Sequence, residues 1–325
     1  MNNKFRVDKD GTLLEFRGEP RSFSVLRDGG DIVARISSYF KDNIQTVKVP
    51  AGTCRKIGFY AFKDCSSLKT IYLEEGVLSL EMGCFWHCDN LKEVYFPHSL
   101  KQVSPDAFPV RSEKVTVHVD YVAGLWSALR TKKWLIRNVD KELFDRYSGA
   151  LIAMKLAYKG AINLTLHLKG DVKDLEFYGF PVNCHVVIDQ DIPTASRVFQ
   201  CSAITKVTIS ENIKNLNPDV FSGGNEYYED TSLEEITVDS QNDSYYSVDG
   251  VLFNAKNGLV RFPQMKLMEK NTYYVPTGTT VICDGAFSWA YGLEYIYLPP
   301  SVEVLSGSFA NLPKLNAIYQ ERTEA

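Results

Sequence analysis

Residues 61–73 read AFKDCSSLKTIYL, and the phrase returns at 84–96 (CFWHCDNLKEVYF), 286–298 (AFSWAYGLEYIYL) and 308–320 (SFANLPKLNAIYQ). Phe is always second, Leu eighth and Tyr twelfth. Self-similarity of this kind constrains a chain more than any local propensity. Each copy is one supersecondary unit that can bury its apolar edge only against the next copy. Leu68 and Leu91, Ile71 and Val94, Phe62 and Phe85, and Cys65 and Cys88 are each 23 residues apart. Copies begin at Ile44, Leu68, Leu91, Ile204 and Leu293, another enters at Tyr273, and one starting at Leu233 soon diverges.

The residue choices within a copy follow from its geometry. Ile71-Tyr72-Leu73 alternates as a strand does, so Ile71 and Leu73 point inward and Tyr72 outward. Pro50, Pro97, Pro276 and Pro299 follow such strands and end them, since proline cannot donate to a ladder. The next apolar residues bring the chain back inside. The A-F-x-x-C phrase suits a short helical or 3₁₀ turn in which Ala permits close approach and Phe fills the centre.

The segments LKTIYL (68–73), LKEVYFPHSL (91–100), IGFYAFKDC (57–65) and LEYIYLPPSV (293–302) resemble the BspA-type (Treponema-type) leucine-rich repeat family. The resemblance covers roughly residues 44–110 and 204–320. It implies a right-handed leucine-rich repeat solenoid with parallel β-strands on the concave face and short turns or 3₁₀ segments on the convex face. It also implies a role in binding other proteins.

Other segments break the repeat. Asp249-Gly250, within YSVDGVLFN (246–254), and Asn257-Gly258 are favoured hairpin turns, and VDKDGTLLEF (7–16) is a matching N-terminal piece. The first hairpin region is expected to seal the solenoid's end and the later one to bulge from its wall. Asp120 suits the N-cap of a helix carrying Val122, Leu125, Trp126 and Leu129 on one face. Asp140 suits a second helix, with Leu143, Tyr147, Leu151, Met154 and Tyr158 on one side, Ile152 and Leu156 on another, and Gly160 as its stop. Residues 164–168, 185–188 and 192–199 look like eroded coils. The expected organisation is a capping region over 1–43, a first repeat block over 44–119, a helical insert over 120–161 and a second block over 162–325 with a hairpin insertion at 245–263.

Composition narrows the function. The formal charge is −4, from 36 basic and 40 acidic residues, which supplies no footprint for nucleic acid. No apolar run reaches membrane-spanning length, so no membrane insertion is expected. The N-terminus lacks the basic and apolar regions of a secretory signal. This predicts a cytoplasmic protein if Met1 is the native start, or a surface or secreted one if an export signal has been trimmed. Seven unclustered cysteines read as free thiols rather than a disulfide framework.

No nucleophile-elbow, phosphate-loop, zinc-protease or dinucleotide fingerprint is present, and histidines 87, 98, 118, 167 and 185 are scattered. The reading is therefore of a protein without catalytic residues, metal or cofactor. The sharpest metal candidate is Cys84-Phe85-Trp86-His87-Cys88, but both cysteines occupy repeat positions that face the core. A Cys65–Cys88 disulfide between neighbouring coils is geometrically conceivable. Trp86 and Trp289, on the outer turn, either pack between turns or form a second exposed surface.

The outward strand position reads Lys48, Tyr72, Tyr95, Thr208, Thr237, Tyr274, Tyr297 and Tyr319 down the coils. Parallel strands lie ~4.8 Å apart, so Tyr72 and Tyr95 are expected to be neighbours, as are Tyr274, Tyr297 and Tyr319. Lys92, Glu93, Lys206, Glu235 and Glu294 would surround them. Tyr favours exposed strand positions for its own sake, and it is also enriched at protein interfaces. The functional expectation is a non-catalytic scaffold that presents these five tyrosines to a protein or peptide. The alternatives are a surface adhesin for host protein or glycan and an enzyme built on the eroded 120–200 block.

Overall fold

The structure, a computed structural model, describes residues 5–7, 12–16, 45–49, 51–52, 55–109, 114–120, 141–168, 184–192, 204–221 and 232–320. The chain divides into two compact units, residues 1–120 with 133–165, and residues 121–132 with 166–325. The first helix expected from the sequence, after Asp120, and the cap at Asp140 lie outside the described residues, as does most of 192–199.

In the first unit β1 (Phe5–Val7) and β2 (Thr12–Phe16) pair antiparallel, and β2 runs parallel to β3 (Thr46–Val49). Each following coil contributes a short strand and a longer one. These are β4 (Lys56–Ile57) and β5 (Thr70–Leu73), β6 (Ser79–Leu80) and β7 (Glu93–Tyr95), then β8 (Gln102–Val103) and β9 (Thr116–Asp120). The longer strands β3, β5, β7 and β9 form one parallel ladder, and β4, β6 and β8 form another. The second, short-strand ladder was not expected from the sequence. It arises because the residues that turn back inward after each longer strand are already extended, and neighbouring copies pair.

Between the two ladders lies the core. Leu68, Leu91, Ile71 and Val94 are fully buried, and Phe62, Phe85 and Phe108 stack through the middle at 5.7 and 5.9 Å between centroids. The outer turns are locked coil to coil: the Phe62 N–H donates to the Cys84 carbonyl, and the Asp64 N–H to that of Trp86. The fourth residue of the phrase takes a left-handed backbone at Asp64, His87, Trp289 and Asn311. Asp, Asn and His tolerate that conformation better than other non-glycine residues, which accounts for three of the four.

Helix α1 (Lys141–Tyr158) belongs to the first unit. Its Ala150, Leu151, Ala153 and Met154 are buried, Ile152 and Leu156 are half-buried, and Lys155 faces water. Gly160, with φ of +71°, closes it as the Ala161 N–H turns back to the Leu156 carbonyl. At Gly149 the helix backbone lies directly on the coil: the Ser148 hydroxyl and the Gly149 N–H both donate to the His98 carbonyl. Strand β10 (Asn163–Leu168) begins in the first unit and ends in the second.

In the second unit β11 (Cys184–Ile188), β12 (Ile204–Ile209) and β13 (Glu235–Val238) form a parallel ladder. The segments at 164–168 and 185–188, read as eroded coils, lie in strands, with alternating burial in β11. Then β14 (Tyr245–Val248), β15 (Val251–Asn254) and β16 (Gly258–Arg261) make an antiparallel meander on the Asp249-Gly250 and Asn257-Gly258 turns. The last coils add β17 (Thr272–Tyr274), β18 (Val281–Ile282), β19 (Tyr295–Leu298), β20 (Glu303–Val304) and β21 (Ala317–Gln320). Strands β17, β19 and β21 pair in parallel, and so do β16, β18 and β20.

This corrects the expected bulge. Strand β16 takes the place of a coil's short strand, so the meander is woven into the wall. Its burial shows the same, since all four residues of β16 are buried, Arg261 included at 1% exposure. Arg261 donates to the carbonyls of Gly285, Phe221 and Ser288, and Gln264 donates to that of Phe221. A guanidinium buried this deeply has to be hydrogen-bonded, and here it ties a 3₁₀ turn (Pro218–Phe221) to the outer turn at 285–288.

Candidate functional site: the outward side of the strand ladders

Period-2 alternation places the outward residues. In β5 the Ile71 and Leu73 side chains are buried while Thr70 and Tyr72 are half-exposed. Register then sets the neighbours: Lys48 lies opposite Tyr72, Tyr72 opposite Tyr95, and Tyr95 opposite His118. The Tyr72 and Tyr95 rings stack at 4.4 Å, Tyr95 and His118 at 4.2 Å, and the Lys48 ammonium sits 5.3 Å from the Tyr72 centroid. The result is a four-rung column with a cation–π contact at one end.

The second unit repeats the device. Tyr274 pairs with Tyr297, and Tyr297 with Tyr319; their rings stack at 4.7 and 4.8 Å, within 20° of parallel. The interval is that of the strands beneath. Tyr274 is 67% exposed and Tyr319 47%. Loss of water and the neighbouring phenols Tyr274, Tyr319 and Tyr295 raise the Tyr297 phenol above its ordinary value, so the hydroxyl of Tyr297 is a neutral donor at physiological pH. All five tyrosines expected at the site therefore fall into two columns, one in each unit.

Two members escaped the sequence reading. His118 sits in Val117-His118-Val119, the same inward–outward–inward spelling, and extends the first column. Tyr295, two residues before Tyr297 in one strand, shares its face and lies between Thr272 and Ala317. Strand period alone would have found both.

Between β10 and β13 the outward residues of the second unit are polar instead. His167 Nδ1 lies 2.8 Å from Asp189, whose other carboxylate oxygen accepts the Ser210 hydroxyl. His185 Nε2 lies 2.8 Å from the Thr208 hydroxyl, itself 2.7 Å from that of Thr237, and Lys206 pairs with Glu235 at 2.7 Å. Burial, then the charges of His167 and Lys206, lower the His185 pKa. The row contains Ser, His and Asp, but not as a catalytic relay. Ser210 donates to Asp189, so no imidazole stands ready to take its proton.

The CFWHC segment divides as the repeat dictates. Cys84 and Cys88 are buried and donate to the Ala107 and Phe62 carbonyls, whereas His87 lies on the outer turn beside Asp64. Burial drives the Cys84 thiol up; hydrogen bonding with Cys65 and then burial do so for Cys88. Both Cys65 and Cys88 are free thiols. Among the described residues no three His, Cys, Asp or Glu side chains converge as metal ligands, and no helix is long and apolar enough to cross a membrane. Trp86 is 42% exposed, while Trp289 is half-buried.

The sequence matches the model of the BspA type leucine rich repeat region in six copies, over residues 35–118 and 172–248. The chain belongs to the BspA-type leucine-rich repeat family. Three solved structures are similar to it. One is a leucine-rich repeat protein from Eubacterium ventriosum, at 17% identity and TM-score 0.34, covering 86% of this chain and 55% of the other. A leucine rich cell surface protein from Faecalibacterium prausnitzii shares 19% identity, at TM-score 0.35 over 97% and 74%. The pneumococcal vaccine antigen PcpA shares 16%, at TM-score 0.32 over 98% and 69%. This chain thus spans little more than half the length of the first. No curated protein matches it. The family match ends at residue 248, yet the coils after it stack their outward tyrosines as the first unit does.

Proposed function

We propose that this BspA-type repeat protein is a non-catalytic scaffold that binds a protein or peptide on the strand face. The observation that supports this most is the pair of stacked columns, Tyr72–Tyr95–His118 and Tyr274–Tyr297–Tyr319. Stacking uses the ring faces internally and leaves edges and hydroxyls outward, so each column offers rigid apolar rims with a row of donors. Aromatic groups already immobilised lose little side-chain entropy when a partner arrives. Binding partners identified by pulldown with the full chain provide the test. Tyr95→Ala combined with Tyr297→Ala leaves the circular dichroism spectrum unchanged and abolishes capture. Undiminished capture by the folded double variant removes the strand face from consideration.

A second reading places the same face outside the cell, as an adhesin for host protein or glycan. The exposure of Tyr274 favours it, because an end ring keeps one face open and a sugar ring can stack there. Fractionation of native cells separates the two: the scaffold reading expects the protein in the cytoplasm, and the adhesin reading expects it at the surface or in the medium.

A further inference from the structure

The strand face of the second unit carries a detail that the stacked column does not account for. Beside Tyr274, Tyr297 and Tyr319 runs a second outward row, Thr272, Tyr295 and Ala317, one residue from each of β17, β19 and β21. Tyr295 stands between two small neighbours, and among the described residues no ring stacks on either of its faces. Thr272 turns its hydroxyl back to the Lys270 carbonyl. The row is therefore a ridge one ring thick with a low shelf on each side, and the tyrosine column walls it along one flank. None of these six outward residues is charged. In the first unit the same row reads Thr46, Thr70, Glu93 and Thr116, so a carboxylate holds the position of the ridge there.

Spacing decides what can straddle such a ridge. The neighbouring column steps 4.7 and 4.8 Å from strand to strand, so the shelves at Thr272 and Ala317 lie about 9.5 Å apart. An α-helix laid across the row returns to one face after about 5–6 Å, which sets a side chain on the ridge itself. A β-strand returns every ~6.7 Å, out of step with the shelves. A polyproline II helix has three residues per turn and rises ~3.1 Å per residue, so every third side chain falls on one side at about 9.3 Å. Its backbone makes no internal hydrogen bonds, which leaves its carbonyls open to the tyrosine hydroxyls of the column. Such segments dock on aromatic-lined grooves and arrive already ordered, at little cost in entropy. We propose that this row binds a proline-rich segment of a partner in the polyproline II form, with prolines three positions apart seated over Thr272 and Ala317 on the two faces of Tyr295. The proposal rests on the strand-face reading above and names the ligand class for the second unit.

The test is fluorescence polarisation of fluorescein-labelled decaproline titrated with the full chain, and saturable binding is expected. Tyr295→Ala should weaken it about tenfold or more, as loss of a central aromatic contact does, whereas Tyr295→Phe should keep it. Ala317→Tyr fills one shelf with a ring that can stack on Tyr295 as Tyr319 does on Tyr297. That variant should fold at least as well as the wild type and lose binding; circular dichroism and the urea midpoint certify the fold of each variant. A peptide of four Pro-Ala-Ala repeats is expected to compete, and one of three Pro-Ala-Ala-Ala repeats, equal in length, is not. The proposal is overturned by absence of saturable binding, by binding that survives Tyr295→Ala or Ala317→Tyr, or by equal competition from the two spacings. Saturable binding of an uncharged oligosaccharide such as chitotetraose, with decaproline inert, overturns it too and assigns the face to a glycan. The scaffold reading is tested apart from this one. If decaproline fails while the chain carrying Tyr95→Ala and Tyr297→Ala still loses its captured partner, that reading stands and only the proline assignment falls.

Discussion

Cys84 and Cys88 show how one residue type is read in two ways. Spelled CFWHC, they suggest zinc; placed by the repeat, they are small apolar groups whose thiols satisfy backbone carbonyls of neighbouring coils. Period places their side chains, because it fixes direction, whereas a motif fixes only spacing along the chain. Raised thiol pKa values keep these groups protonated and unreactive at neutral pH. Alkylation of the native protein at pH 8, mapped by mass spectrometry, should therefore modify the half-buried Cys283 well before Cys65, Cys84, Cys88 or Cys184.

Tyr273 is the second such case. Burial, then the charge of Asp249, raise its phenol well above the ordinary value. The unfolded chain then ionises first, so the folded state holds the extra proton and stability falls as pH climbs past ~10. Below that range the contribution is fully present. Denaturant titrations at pH 8, 9.5 and 10.5 should show this decline, and Tyr273→Phe should flatten it.

Among the elements, the strands were the most legible, because alternation and proline stops state them directly. The hairpins at Asp249-Gly250 and Asn257-Gly258 were legible as turns but not in their destination. The pairing of Gly258 and Leu259 with Val281 and Ile282, with the burial of the strand, makes β16 part of the wall, and a pairing between residues so far apart in sequence leaves no local mark. The histidines that join Thr208 on this face, His167 and His185, were missed for a different reason: their hydrogen bonds reach residues more than twenty positions away.

Helix α1 was legible through its apolar spacing and Gly160, yet the residue that seats it, Gly149, carries no sequence signal of its own. A Cβ there would lie 1.8 Å from the Pro97 carbonyl oxygen, far inside any tolerable contact. Gly149→Ala is expected to cost about 3 kcal/mol or more, since helix or coil must move bodily. Urea unfolding of the variant measures it, and a loss under 1 kcal/mol would show that the helix is not seated there.

For the molecule as a whole, stability is a sum over neighbouring coils rather than the property of one central core. Chains built this way need not unfold in a single step. Calorimetry of the wild type is expected to give a calorimetric enthalpy larger than the van't Hoff value. Arg261→Met removes one donor from each of three carbonyls, of which Phe221 keeps Gln264 and Gly285 keeps the Ser288 N–H, and should destabilise the second unit by about 2 kcal/mol. Paired with Gly149→Ala in the first unit, it should lower a different part of the thermogram. If both substitutions displace one and the same sharp transition equally, the coils melt together and this picture fails.

The tyrosine column of the second unit repeats at the interval of the backbone on which it stands, 4.7 and 4.8 Å. Any partner that engages several rungs at once has to bring acceptors in step with that pitch, and one with another spacing drifts out of phase by the third. Under the proposed function the face is, in effect, a ruler that would select by length and periodicity before chemical identity.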